Sequence, residues 1–129
     1  MGVVDIKVKE IMIKDVVTSR GEITLSEAIE ILYKKHIGSI VIVDHDNRPI
    51  GIFTERDAIR CIALNKSLNT ILEEEMTKNL ITVKDNICFR ELRALYSDKK
   101  VRHIPVVDEH NHLEGLLNIR EIFDEILGC

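Results

Sequence analysis

Ser39-Ile40-Val41-Ile42-Val43-Asp44, then the polar stretch His45-Asp46-Asn47-Arg48-Pro49, then Ile50-Gly51-Ile52-Phe53-Thr54-Glu55-Arg56-Asp57, is the part of the chain on which the fold turns. An apolar β-branched run, a cluster of turn formers and a second apolar run together read as a β-hairpin. Thr54 stands where the second strand ends and a helix, expected from about Glu55 to Leu64, begins. A threonine at that point can cap the helix, and the unpaired N–H groups of a helix start favour negative charge.

Upstream, Val16-Val17-Thr18 reads as a short strand and Thr24 to His36 as an amphipathic helix, with Leu25, Ala28, Ile29 and Leu32 on one face. Thr24 and Glu27 make the T-x-x-E pattern of a capping box, which satisfies donors at the helix start. The order of elements is therefore βαββα. Shifted by 64 residues without a gap, the chain falls on itself with fourteen identities over 65 aligned positions. Met12 meets Met76, Thr18 meets Thr82, Asp44 meets Asp108, Asn47 meets Asn111, Gly51 meets Gly115 and Arg56 meets Arg120. A self-match at one fixed period is an internal duplication.

The second copy repeats the pattern as strand Leu80 to Val83, helix Ile87 to Lys99, strand Arg102 to Val107, turn Asp108 to Asn111, strand Leu113 to Leu117 and helix Ile119 to Leu127. With copies at 1–64 and 65–129, each is too small to bury an adequate core alone. The expected architecture is an α+β fold in which two βαββα repeats pack about a pseudo-twofold axis. Asn65 to Thr70, without Gly or Pro, reads as a short ordered connector, and Glu73-Glu74-Glu75 as a solvated helix face.

Composition narrows the function. A net charge of −4 offers no general attraction for a polyanion, and an aromatic content of 4% without tryptophan gives few surfaces for stacking bases. Cys61, Cys88 and Cys129 are odd in number and lack metal-ligand spacing, so a reducing cytoplasmic setting without a disulfide framework or zinc site is expected. His110 and His112 lack a third ligand nearby and read as turn residues. No apolar run is long enough for a membrane span, and residues 1–10 do not read as a secretory signal. No nucleophile, base and orienting group recur together, so no catalytic residues are assigned.

The strands Ser39 to Asp44 and His103 to Asp108, the Gly51-Ile-Phe-Thr54-x-x-Asp57 ending and the 64-residue repeat resemble a tandem CBS-domain pair, or Bateman module, over nearly the whole chain. The resemblance implies a regulatory module, not an enzyme, that binds an adenosine ligand, requires no cofactor and acts on a separate partner protein. It implies that Asp57 holds the ribose hydroxyls and Thr54 helps to place sugar or phosphate. Arg102 and His103 would meet the phosphate, with Lys84 and Arg56 as further cations and the backbone at Thr82 and Ile104 beside the adenine. AMP and ATP stand ahead of S-adenosylmethionine and NAD, because a sulfonium suits Arg102 less well than a phosphate does.

The second cleft implied by the repeat would use Thr18, Gly38, Ser39, Asn118 and Glu121. There Glu121 replaces Asp, and Gly38-Ser39 replaces Arg102-His103, so a weaker site is expected. The family also suggests a homodimer, with Leu64, Ile122, Ile126 and Leu127 as contact candidates. Other readings stay open. Thr54 and Asp57 can be a cap and a first-turn carboxylate only, Arg102 and His103 solvated strand-edge residues, and the module a ligand-free scaffold or a nucleic-acid-binding CBS pair.

Overall fold

The computed structural model describes residues 6–92, 94 and 102–119. Among these, the first copy runs β1 (Thr18–Ser19), α1 (Leu25–Lys35), β2 (Ser39–Val43), β3 (Pro49–Thr54) and α2 (Glu55–Ala63). The second copy shows β4 (Val83–Lys84), a helix start at 89–92 and 94, β5 (His103–Val107) and β6 (Leu113–Asn118), with Ile119 opening a further helix. Lys99 and the helix expected beyond Ile119 lie outside the described residues.

The strands form two three-stranded sheets of one topology. β1 runs parallel to β2 and β2 antiparallel to β3; β4, β5 and β6 repeat this arrangement. Each hairpin carries a register shift at the same place, between Ile42 and Val43 and between Val106 and Val107. Each turn closes in the same way. Asp44 Oδ1 accepts from the backbone N–H groups of Asp46 and Arg48, and Asp108 Oδ1 from those of His110 and His112, all at 2.8–2.9 Å. Asn47 and Asn111 take the left-handed conformation the turn needs, at φ 60° and 67°. Asparagine tolerates that region better than other residues with a β-carbon.

α1 begins as its sequence requires. Thr24 Oγ1 accepts from the Glu27 N–H at 3.1 Å, and the Glu27 carboxylate accepts from the Thr24 N–H at 3.1 Å. The helix ends at His36, whose φ of 53° turns the chain out of it. β1 and β4 differ from expectation: pairing begins at Thr18 and Val83, later than the apolar residues Val16 and Leu80 suggest. Val17 still accepts from the Val41 N–H at 3.1 Å, and the chain passes from one compact unit to the other just ahead of Val17 and of Ile81.

Those units are Val17–Leu80, and Met1–Val16 together with Ile81–Cys129. Each therefore joins one copy's sheet to the opening segment of the other copy. In the first unit Leu25 N–H donates to Thr70 O (2.8 Å), Ser26 N–H to Leu68 O (3.0 Å) and Leu72 N–H to Ile23 O (2.7 Å). In the second, Phe89 N–H donates to Ile6 O (2.7 Å) and Val8 N–H to Ile87 O (2.9 Å). The connector thus supplies carbonyls to helix N–H groups that have no partner within the helix.

The cores follow the same plan. Leu72 and Met76 join Leu25, Leu32, Ile40, Ile42 and Phe53 in one unit, while Val8 joins Phe89, Leu92, Ile104, Val106 and Leu117 in the other, with Met12 packed against them. The duplicated glycines make room for the methionines. A Cβ on Gly51 would stand 2.3 Å from Met76 Sδ, and one on Gly115 2.4 Å from Met12 Sδ.

Candidate functional site

At Thr54 the chain turns from extended (φ −113°, ψ 169°) into α2. Thr54 Oγ1 accepts from the Asp57 N–H at 3.2 Å, and Asp57 Oδ2 accepts from the Thr54 N–H at 2.9 Å and from its hydroxyl at 3.1 Å. One carboxylate oxygen is thereby committed to the helix cap. The other, Oδ1, stands 3.7 Å from Arg60 Nη2, one helical turn along. A carboxylate oxygen offers two lone pairs, so Oδ1 retains acceptor capacity for a hydroxyl. The side chain of Asp57 is 16% exposed, well shielded yet reachable.

Other expected residues of this unit gather at the same end of the sheet. Ser39 pairs with Thr54 across the β2–β3 ladder, and Gly38 O accepts from the Glu55 N–H at 3.0 Å. Ser39 is buried, Gly38 half-buried and Arg56 exposed. Thr18 is exposed and lies opposite Val41 on β1.

In the other unit, Arg102 O accepts from the Ile119 N–H at 2.8 Å, the counterpart of the Gly38–Glu55 bond. Arg102 is exposed, and half-buried His103 pairs with half-buried Asn118 across β5 and β6. Ile104 is fully buried in the core. Thr82 is exposed just ahead of β4. Glu121, Ile122, Ile126 and Leu127 lie outside the described residues.

Lys84 does not join this group. It pairs with Val107 in the parallel ladder, about 13 Å along β5 from His103 at the usual rise per residue. Its ammonium donates to Asp108 O (3.2 Å) and Asn111 Oδ1 (2.9 Å), bracing the hairpin turn. The surrounding hollow is walled by Asp85, Asp108, Glu109 and Glu114, a setting that repels a phosphate. The hydrogen bond that a protonated Glu114 donates to Asp85, with desolvation and the Asp85 charge added, pushes the Glu114 carboxyl above the usual range.

The sequence places Glu75 on a solvated helix face, and the structure corrects this. Glu73 and Glu74 are exposed, but the Glu75 side chain is 13% exposed and holds two cations. Arg60 donates through Nη1 to Glu75 Oε1 (3.1 Å) and through Nη2 to Glu75 O (3.0 Å), and Lys66 Nζ lies 3.4 Å from Oε2. The Arg60 hydrogen bond holds the Glu75 carboxyl below the usual range, and the same bond raises Arg60. Asp57 and Arg60, three residues apart on a helix, are a pair that spacing could have revealed. Glu75 carried no such signal, because its place depends on the connector folding back over α2.

The sequence profile of the CBS domain matches residues 8–64 and again 71–128. The chain belongs to the CBS domain family. It is a CBS pair, a regulatory module. The pair is 36% identical over 111 residues to an inosine-5′-monophosphate dehydrogenase from Bifidobacterium longum, covering 85% of this chain and 20% of that one. It is 34% identical over 122 residues to an uncharacterized protein from Methanopyrus kandleri, covering 91% of this chain and 61% of that one. It thus spans a fifth of the length of the first relative and under two thirds of the second. The CBS domain pair of protein MJ0100, solved in complex with 5′-methylthioadenosine and S-adenosyl-L-methionine, superposes with a TM-score of 0.86 at 30% identity, over 96% of this chain and 98% of that one.

Proposed function

We propose that this CBS pair binds an adenosine compound of the AMP or ATP type and thereby regulates a separate partner protein. The observation that carries the reading is the Asp57 carboxylate, half committed to the cap and half left to accept from ribose hydroxyls. The phosphate end goes to Arg102 and His103, with Arg56 as a further cation and the backbone at Thr82 and Ile104 beside the base. Lys84, committed to its turn, is left out. Thr18, Gly38, Ser39, Asn118 and Glu121 form a second, weaker set for want of a cation.

One observation favours a second reading, in which the ligand is a sulfonium or thioether adenosine: the MJ0100 pair was solved with two such compounds. Both readings share the ribose contact. Calorimetric titration of the nucleotide-stripped protein with AMP, ATP, S-adenosylmethionine and 5′-methylthioadenosine separates them, with Asp57→Ala abolishing binding in either case. No heat with any of the four, from folded protein, would turn the reading to a scaffold. Salt-dependent binding of an oligonucleotide would turn it to the nucleic-acid class.

The same proposal includes a homodimer in the cytoplasm. α1 and α2 leave an apolar hollow of about 550 Å³ between Leu32, Tyr33, Ala58 and Ile59. Tyr33, Ile59, Ile62 and Leu64 are each more than half exposed, an apolar grouping that a second copy would cover. Among the described residues no helix is long and apolar enough to cross a membrane.

A further inference from the structure

We propose that Arg60 is a positioning residue for the Asp57 carboxylate, held in place by Glu75 beyond the connector; this rests on the reading of Asp57 as the ribose acceptor. The guanidinium is anchored twice on Glu75, at Oε1 and at the backbone carbonyl, and these bonds set where Nη2 stands. From there it faces Asp57 Oδ1 at 3.7 Å, outside direct hydrogen-bonding distance but near enough to attract it. Oδ2 is pinned by Thr54. With one oxygen pinned and the other drawn towards a fixed cation, the plane of the carboxylate is defined while the lone pairs of Oδ1 stay available.

The sequence does not repeat this pair 64 residues away. The positions 64 residues away from Arg60 and Glu75 are Asp124 and Ile11, which cannot form a cation–carboxylate pair. A contact required merely to build the repeated fold would be expected in both copies. This pair stands beside Asp57, and the sequence does not repeat it where Glu121 takes the place of Asp. Glu75 also ties α2 to the connector, since Lys66 reaches its second oxygen. Occupation of Asp57 is thereby linked to the segment that leads into the second repeat.

The test uses the whole chain and either AMP or S-adenosylmethionine, whichever the wild type binds, each compared with its 2′-deoxy form. Arg60→Met is expected to weaken binding of the ribose compound about tenfold and to leave the deoxy compound within about twofold, so that ribose discrimination is lost. Arg60→Lys, which restores the charge without the fork, should recover part of it. Glu75→Gln, which loosens the anchor without touching Asp57, should lower discrimination in the same direction and serves if Arg60→Met does not fold. Equal loss for both compounds, or unchanged discrimination in folded Arg60→Met or Glu75→Gln, would overturn the positioning role while the ribose reading stands. A wild type that binds no adenosine compound would instead overturn that reading and this inference with it.

Discussion

Glu75 and Gly51 show how much can rest on one residue in this chain. The carboxyl of Glu75 is held down chiefly by its hydrogen bond from Arg60. A depressed carboxyl contributes stability above its unfolded value, near 4.5, and loses it as pH falls through the lower folded value. Glu75→Gln should therefore be less stable than the wild type at neutral pH, and the difference should vanish in acid below the folded value, as read by urea denaturation across pH. Gly51 poses a different problem, one of space. A methyl group there meets Met76 at van der Waals overlap, and Met76 is itself buried in the core. Gly51→Ala should cost about 1–3 kcal/mol in chemical denaturation, the range for overpacking, and a partner change of Met76→Ala should recover part of it.

Among the elements, α1 and α2 begin with the same device and put it to different uses. In α1 the box of Thr24 and Glu27 is exposed and serves the helix alone. Thr24→Ala should lower stability by about 1 kcal/mol, measured by thermal or urea unfolding, and leave ligand affinity unchanged. In α2 the box is built from Thr54 and Asp57, and the shorter Asp side chain is half-buried with one oxygen uncommitted. The outer face of α2 is apolar at Ile59 and Ile62. Light scattering at micromolar concentration should show a dimer for the wild type and a monomer for Ile59→Glu with Ile62→Glu, since two buried carboxylates without partners are not tolerated in an interface. A wild-type monomer would exclude the dimer. The hairpin turns were legible in advance because Asp44, Asn47 and their duplicates are the residue types that close and reverse a chain.

At the scale of the whole molecule, the sheet of each repeat depends on the opening segment of the other. Val8 and Met12 open the first copy yet pack with the sheet of the second, just as Leu72 and Met76 open the second and pack with the sheet of the first. Deleting residues 1–13 should therefore damage the distant repeat. Hydrogen exchange should show protection lost in β5 and β6 and retained in β2 and β3. Loss confined to the first copy would contradict the arrangement. The same exchange explains why Met12 and Met76 were visible as an identity but not as packing residues.

The sequence by itself determined the duplication, the order of elements, the Thr24 cap, the hairpins and the Thr54–Asp57 ending. Each of these is written in residues near one another, where period, turn chemistry and capping act locally. Only the tertiary structure decided which segment completes which core, that Lys84 braces a turn at the far end of its sheet, and that Glu75 turns inward to hold Arg60. Those outcomes depend on where the chain returns after a connector. Hydrophobic pattern specifies that a segment must be buried, and it is the closing of the chain on itself that selects the partner.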